Sequence, residues 1–344
     1  MARQKKALGS FTSYGDTFES AMEDFLKVSQ KHFKSWQRNP ELAKHLRDSL
    51  ALTKEHARAL SPAILKKLCE AILETRLLYD GLIEEYKKQP EEGKAKVMYG
   101  AILTGYGQEA IGAGVAMAMR QEDWIARDHR GASAAILRGT PVLQFFLNHF
   151  FKATGPTGGH DPNIHFCDLA RNDWGFRASD MAMGAALING AVAYKNLEKE
   201  LRNGAALTGE ERIGGVAISG DGAASNGVFL AAMNFAKARS LHVIHNNQIS
   251  LGTSALEQHG NIALSNRAFG FEMPGFTVDG DDALEMYLAA HWLFTFARLS
   301  NHPALIDAIT FRRHGHNESE STDYVKEVFD PEFLAKMMSS EADP

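Results

Sequence analysis

Apolar positions recur at helical spacing in the first quarter of this chain and then give way, beyond residue 95, to Ala- and Gly-rich stretches separated by short unbroken apolar runs. Residues 1–60 are charged, with Phe18, Met22, Phe25 and Leu26 at helix spacing, which predicts a helical N-terminal extension. A firmer helix starts at "SPAILKKLCEAILETRLLYDGLIEEYKK", where Ser61 is placed to cap it and Pro62 suits its first turn. Its Leu65, Leu68, Ile72, Leu73 and Leu77 form a stripe expected to pack rather than to carry chemistry. The segments "GYGQEAIGAGVAMAM", "GASAAILRG" and "MAMGAALINGAVAYK" are small enough to allow close backbone approach at helix–sheet contacts. "GGVAIS" (214–219), "LHVIH" (241–245) and "ALIDAITF" (304–311) predict buried strands. Strands alternating with helices predict an α/β fold with a doubly wound parallel sheet over residues 61–330, followed by a tail at 331–344.

Composition removes several function classes. With 344 residues, 44% of them hydrophobic and 23% charged, the chain can bury a large core. A net charge of −5 argues against a polyanion such as nucleic acid as partner. No apolar run approaches the roughly 18 residues that span a bilayer, so no membrane partner is expected. The opening "MARQKKALGSFTSYGD" is basic but lacks the apolar centre of a secretory signal. Asp16, Glu19, Glu23 and Asp24 fit an acid-poor mitochondrial transit peptide badly, so the cytoplasm is the expected compartment, with the mitochondrial matrix as the alternative. Cys69 and Cys167 show neither metal nor redox spacing and are expected as two buried thiols.

The most informative stretch is "GDGAASNGVFLAAMNFAKARSLHVIHNNQIS" (220–250). A strand–helix–strand crossover between neighbouring parallel strands puts both carboxyl ends on one sheet edge, ~4.8 Å apart. Asp221 and either Asn246 or Asn247 can then face one ion. Gly220 and Gly222 permit a sharp turn whose N–H groups, with the N-terminus of the helix after Asn226, can face a phosphate. A carboxylate, an amide oxygen and a backbone carbonyl are hard ligands that leave room for phosphate oxygens and water around octahedral Mg²⁺. The stretch reads as a metal–diphosphate clamp. Other polar groups are ambiguous by themselves. "RDHR" (127–130) reads as a solvated charge cluster at loop level, and His245 is either a satisfied strand-end histidine or a ligand contact. The His–Gly–His of "FRRHGHNES" (311–319) has no further metal ligands at useful spacing.

Seven pieces in order, "GYGQEA" (105–110), "RDHRGASAAILRG" (127–139), "GGHDPNIHF" (158–166), "GDGAASNGVFLAAMNFA" (220–236), "NNQISLGTS" (246–254), "FTVDGDDALEMY" (276–287) and "TFRRHGHNES" (310–319), carry a resemblance over roughly residues 65 to 325. They resemble the alpha chain of the thiamine diphosphate-dependent first component of 2-oxo acid dehydrogenase complexes. The resemblance implies that Asp221, Asn247 and the carbonyl of Ile249 hold Mg²⁺. It places Gly220 in the turn and gives Gly222 and Ala223 backbone N–H groups for the diphosphate. Arg130 falls where the family uses an arginine on the diphosphate, a role suited to a permanent cation with a planar donor fork. His129 stands where an aromatic usually precedes it, and His245 is a further candidate cofactor contact. His316 matches a histidine beside the diphosphate and the active-site channel, so His129 and His316 are the catalytic candidates. Arg312 and His314 are expected to order that loop. Asn317 stands where eukaryotic relatives carry a regulatory serine, so switching by that route is not expected.

The implied activity is thiamine diphosphate- and Mg²⁺-dependent oxidative decarboxylation of a small 2-oxo acid, with acyl transfer to a lipoyl group of an acyltransferase component. An acetoin dehydrogenase alpha chain is a close alternative. The family's glutamate for the cofactor's aminopyrimidine comes from a beta chain, and no second motif block supplies it here. The implied partner is therefore a beta subunit or beta-like domain, in an α₂β₂ assembly with the cofactor at the interface. Two departures stand out. Residues 223–245 are 23 positions, whereas relatives carry about three more. A helix of ~13 residues rises ~20 Å, and six strand residues at ~3.3 Å return it with almost no slack. Either the helix ends a turn early or Asn247 is displaced. The short stretch after the His loop also suggests a short form or a chain leading into a beta-like half. A subunit that has lost cofactor binding is the second reading. A dinucleotide-binding module ranks below it, because no G-x-G-x-x-G follows a strand with an acid about 20 residues on.

Overall fold

The computed structural model describes residues 40–88, 98, 100–161, 165–175, 181–235, 239–260, 263–321, 331 and 335. Phe18, Met22, Phe25 and Leu26, and most of the 331–344 tail, lie outside the described residues. In chain order the principal elements are α1 (Pro40–Arg58), α2 (Pro62–Lys87), α3 (Glu109–Met117), β1 (Trp124–Ala126), α4 (Ala132–Leu137), α5 (Val142–His149), α6 (Met183–Asn203), β2 (Gly215–Gly220), α7 (Asp221–Ala224) and α8 (Gly227–Met233). They continue with β3 (Ser240–Asn246), β4 (Ile249–Ser250), β5 (Thr253–Ser254), α9 (Ala255–Gln258), α10 (Arg267–Gly270), β6 (Gly275–Asp279), α11 (Ala283–Ser300) and β7 (Ala304–Ile309).

The three apolar runs that predict strands form β2, β3 and β7 within a residue or two of the expected ends, and they sit side by side at the centre of the sheet. Among the described residues this sheet has five strands in the order β1-β2-β3-β7-β6, all parallel. Successive residues of the central strands enter opposite layers. Val216, Ile218, Leu241, Val243 and Ile306 pack with α3 and α11, whereas Ala217, Ile244 and Leu305 pack with α6 and α8. Burial on both faces is what an unbroken apolar strand requires, and the fold is the doubly wound α/β class. The link from β2 to β3 runs through α8 on one face and that from β6 to β7 through α11 on the other, so the winding reverses between β3 and β7. Ligands of open α/β sheets bind at the carboxyl edge beside such a reversal.

Small residues make these layers close. A Cβ on Gly114 of α3 would come 2.6 Å from the Met286 Cβ and 2.9 Å from the Tyr287 backbone nitrogen of α11. A Cβ on Gly215 would lie 2.7 Å from Ile188 Cγ1 of α6.

Helix α2 begins where the sequence places it, with Pro62 in the first turn, although the Ser61 side chain makes no capping bond. Its buried face differs from the expected stripe. Leu68 and Ile72 are buried, but Leu65, Leu73 and Leu77 are 44%, 61% and 69% exposed. The inward face instead carries Thr75 and Tyr79, because Thr75 Oγ1 donates to the Ala71 carbonyl (2.6 Å) and the Tyr79 hydroxyl to the Arg130 carbonyl (2.9 Å). With their polar atoms bonded, both are free to pack inward. The thiols also correct the expectation: Cys69 is exposed, on the outer side of α2, and Cys167 is half-buried with its thiol on the Trp174 carbonyl. No helix among the described residues is long and apolar enough to cross a membrane.

Candidate active site at the carboxyl edge of the sheet

The register brings the motif residues together. Gly220 of β2 pairs with His245 of β3, and Asn246 with Ile309 of β7, so the segments entered at Asp221, Asn247 and Thr310 leave one edge of three adjacent strands. The crossover closes because α8 is only seven residues long, Gly227–Met233, shorter than the ~13 expected. Its cap is Asn226, whose side chain accepts from the Val228 N–H at 2.8 Å. Of the two alternatives for the shortened crossover, the early helix end is the one found, and β3 runs in unbroken register beside β2.

Asp221 opens α7 and is buried. Its Oδ1 accepts from the Gly222 N–H at 2.9 Å, while Oδ2 has no hydrogen-bond partner among the described residues. Burial pushes the carboxyl above its usual range, against the pull of the Gly222 bond, His245 and Arg312. A buried carboxylate oxygen without a proton donor is costly unless a cation satisfies it.

The glycines act by making room. Gly220 is extended (φ −70°, ψ 163°), and neither it nor Gly222 has a positive φ, so left-handed backbone is not their purpose. A Cβ on Gly222 would strike the Ser250 hydroxyl and lie 3.0 Å from Gln258 Oε1. The Gly222 N–H, expected to serve a diphosphate, points at the Asp221 carboxylate here; Ala223 follows in the same short turn.

The two asparagines separate. Asn246 Nδ2 donates to Asp307 Oδ1 (2.8 Å), and its Oδ1 accepts from the Gln248 N–H (3.2 Å), so its amide is used inside the α6–α8 layer. Asn247 Nδ2 donates to Gln108 Oε1 (3.2 Å), and among the described residues its Oδ1 accepts from the Ile249 N–H at 3.3 Å. Ile249 starts the β4–β5 hairpin, flanked by Gln248 (φ 65°) and Leu251 (φ 54°), both left-handed. Arg312 steadies this hairpin by donating to the Leu251 carbonyl at 2.9 Å. Asp221 Oδ2 and the remaining lone pair of Asn247 Oδ1 are hard oxygen donors of the kind Mg²⁺ takes.

His245 is satisfied within the chain, with both ring nitrogens engaged. Its Nδ1 lies 2.8 Å from Asp128 Oδ2 and its Nε2 2.9 Å from Gln108 Oε1. Burial would raise the Asp128 carboxyl, but His245, His129 and Arg130 together hold it below its usual value. Arg130 is buried rather than part of a solvated cluster, and its guanidinium donates to the carbonyls of Thr104 and His316, the latter at 2.9 Å. Burial, then Arg312, lower it to about 10, so it stays cationic at neutral pH. The rings of His129 and His316 meet edge-on, 6.2 Å between centroids. Both are held neutral: His129 falls well below its usual value through burial and then Arg130, and His316 falls to about 4 through burial, Arg130 and Arg312. His314 stacks on Tyr106 (4.5 Å) and bonds Glu318 (2.9 Å), so it orders the loop as expected.

Sequence reasoning missed Gln108 and Asp128. Both lie inside quoted segments, but their partners are 137 and 117 positions away, so no local spacing marks them. It also missed Asp281, beyond β6 on the same edge, which accepts from the Thr310 hydroxyl.

A parallel doubly wound sheet with an acid-and-amide cluster on its carboxyl edge places polar groups where α/β proteins of this class bind ligands. A family model described as "Dehydrogenase E1 component" matches residues 84–330, and the chain belongs to that family. Among its relatives are the acetoin:2,6-dichlorophenolindophenol oxidoreductase alpha subunits of Bacillus subtilis, 29% identical over 231 residues (66% of this chain, 66% of the relative), and of Cupriavidus necator, 31% identical over 223 residues (63% of each). The pyruvate dehydrogenase E1 component subunit alpha of Porphyra purpurea is 28% identical over 223 residues (64% of this chain, 63% of the relative). The chain thus spans about two thirds of the length of the curated relatives it matches.

Proposed function

We propose that this chain is the alpha chain of a thiamine diphosphate- and Mg²⁺-dependent enzyme that decarboxylates a small 2-oxo acid oxidatively and passes the acyl group to a lipoyl arm. The observation that carries this reading is the buried Asp221 Oδ2, without a hydrogen-bond partner among the described residues, at the end of β2 and in register beside the strand that leads to Asn247. In this reading Asp221, Asn247 and the Ile249 carbonyl hold the ion, and the ion holds the diphosphate. Arg130, cationic and buried, adds positive charge for the same anion. Bound there, thiamine diphosphate would supply the nucleophile and the electron sink that decarboxylation of a 2-oxo acid needs. The neutral rings of His129 and His316 are suited to donate or accept hydrogen bonds near the reacting group, because neither competes with Arg130 as a second cation. The glutamate for the aminopyrimidine would come from a beta subunit or beta-like domain, and an acyltransferase component would carry the lipoyl group. We place the compartment in the cytoplasm and the cofactor domain at residues 61–330.

A second reading is acetoin cleavage by the same site, favoured by the two acetoin oxidoreductase alpha subunits among the relatives. The test is a panel assay of the chain co-expressed with its beta-like partner. Pyruvate, branched-chain 2-oxo acids and acetoin are each supplied with thiamine diphosphate, Mg²⁺ and 2,6-dichlorophenolindophenol as acceptor. CO₂ release with dye reduction from a 2-oxo acid supports the first reading, and dye reduction with acetoin alone supports the second. No turnover of any of them by a folded, cofactor-loaded assembly contradicts both.

A further inference from the structure

One oxygen of Gln108, the residue that caps α3, accepts from two sides. His245 Nε2 lies 2.9 Å from Gln108 Oε1 and Asn247 Nδ2 lies 3.2 Å from it. The orientation of every amide in this chain of bonds is forced from its end. The Ile249 N–H donates to Asn247 Oδ1 at 3.3 Å, which turns Asn247 Nδ2 toward Gln108. An amide nitrogen only donates, so the Gln108 atom that meets it is the oxygen. That oxygen can only accept from the histidine, so His245 Nε2 carries its hydrogen while Nδ1 faces Asp128 Oδ2 at 2.8 Å. Asp128, His245, Gln108 and Asn247 are all buried, and flipping the amide of Gln108 or of Asn247 would set donor against donor.

We propose that Gln108 is a positioning residue of the ion site. By engaging the nitrogen of Asn247, it keeps the oxygen of that amide as the atom available to a divalent cation, and the Asp128–His245 pair holds Gln108 in that orientation. The inference rests on the proposed metal–diphosphate site and adds a residue 139 positions from the ligand it orients, on the helix layer rather than on the ion loop. It follows that the seating of α3 against the sheet sets the geometry of a ligand at the end of β3.

The test uses the full chain with its co-expressed beta-like partner and Mn²⁺ as the probe, with free Mn²⁺ read by electron paramagnetic resonance in the presence and absence of thiamine diphosphate. Gln108→Met keeps the length of the side chain and removes the acceptor, and the cofactor-dependent Mn²⁺ affinity is expected to fall roughly ten- to a hundredfold, the range seen when an outer partner of a metal ligand is lost. Gln108→Glu keeps an acceptor oxygen and is expected to restore the affinity to within a few-fold of wild type. A purely structural role would lower the unfolding temperature of the metal-free protein and leave the Mn²⁺ affinity of the folded protein unchanged. Equal affinity in wild type and Gln108→Met, whatever their unfolding temperatures, overturns the inference while leaving the proposed function standing. Absence of cofactor-dependent Mn²⁺ binding by the wild type overturns both. Should Gln108→Met fail to fold, Gln108→Asn withdraws the acceptor by one methylene and gives the same comparison, with weakened binding expected and undiminished binding counting against the inference.

Discussion

Asn246 and Asn247 are consecutive in sequence, yet their amides serve opposite layers: Asn246 Nδ2 donates to Asp307 Oδ1 at 2.8 Å, and Asn247 Nδ2 to Gln108 Oε1 at 3.2 Å. The alternation of a β-strand end separates an amide used inside one layer from the amide proposed for the ion. Asp307 also accepts from the N–H groups of Leu264 (2.7 Å) and Ser265 (3.3 Å), so Asn246 completes a buried carboxylate shell. Asn246→Ala should therefore cost about 1–3 kcal/mol of stability, the price of a buried polar group left unpaired. Asn247→Ala should cost less in the metal-free protein and abolish most magnesium-dependent cofactor binding. Denaturant unfolding and calorimetric titration, run on both variants, check the division.

Space at Gly222 gives a second prediction. An added Cβ would meet the Ser250 hydroxyl and Gln258 Oε1, whereas a Cβ on Gly227 meets nothing within 4 Å. Gly222→Ala should lose about 1–3 kcal/mol through overpacking, and Gly227→Ala, in the first turn of α8, should be neutral or slightly stabilising. Pairing Gly222→Ala with Ser250→Gly should recover part of the loss in thermal unfolding. No recovery would mean that the crowding lies elsewhere.

The pH dependence of stability should carry the mark of Asp281. Burial first of all, with Asp279 adding to it, pushes its carboxyl up to about 8, although the Thr310 bond opposes the shift. An acid whose folded value lies above its unfolded value of 3.8 contributes stability that is whole below about pH 4 and is lost as pH rises toward about 8. Asp281→Asn removes this dependence, so the unfolding temperature of the variant relative to wild type should climb from pH 5 to pH 8. A difference that stays constant across that range would contradict the assignment.

Much of the scaffold was legible in the chain because β2, β3 and β7 are buried on both faces and so read as unbroken apolar runs. The shorter edge strands were not. Trp124–Ala126 has three residues, and Gly275–Asp279 carries Thr277 and Asp279 among its apolar positions. The face of α2 was misread because Thr75 and Tyr79 go inward on hydrogen bonds, one of them to Arg130, 51 positions away. Within the candidate site, Asp221 and the asparagines stood out through glycine and amide spacing. Gln108 and Asp128 did not, since their significance lies in a buried network with His245 that only the folded chain assembles. Gly222 was read as easing a sharp turn; its φ is not positive, and a Cβ there would meet the Ser250 hydroxyl.

The central claim is that a divalent ion is held between the Asp221 carboxylate and the Asn247 amide. Calorimetric titration of thiamine diphosphate into the chain with its beta-like partner tests it most directly, comparing wild type and Asp221→Asn with Mg²⁺ present or chelated. The account predicts binding by the wild type that disappears when Mg²⁺ is chelated and is lost in Asp221→Asn, whose fold should be intact because an amide fits the same buried place. Binding that is indifferent to both Mg²⁺ and the substitution, or no binding by the wild type with Mg²⁺ in excess, would contradict it.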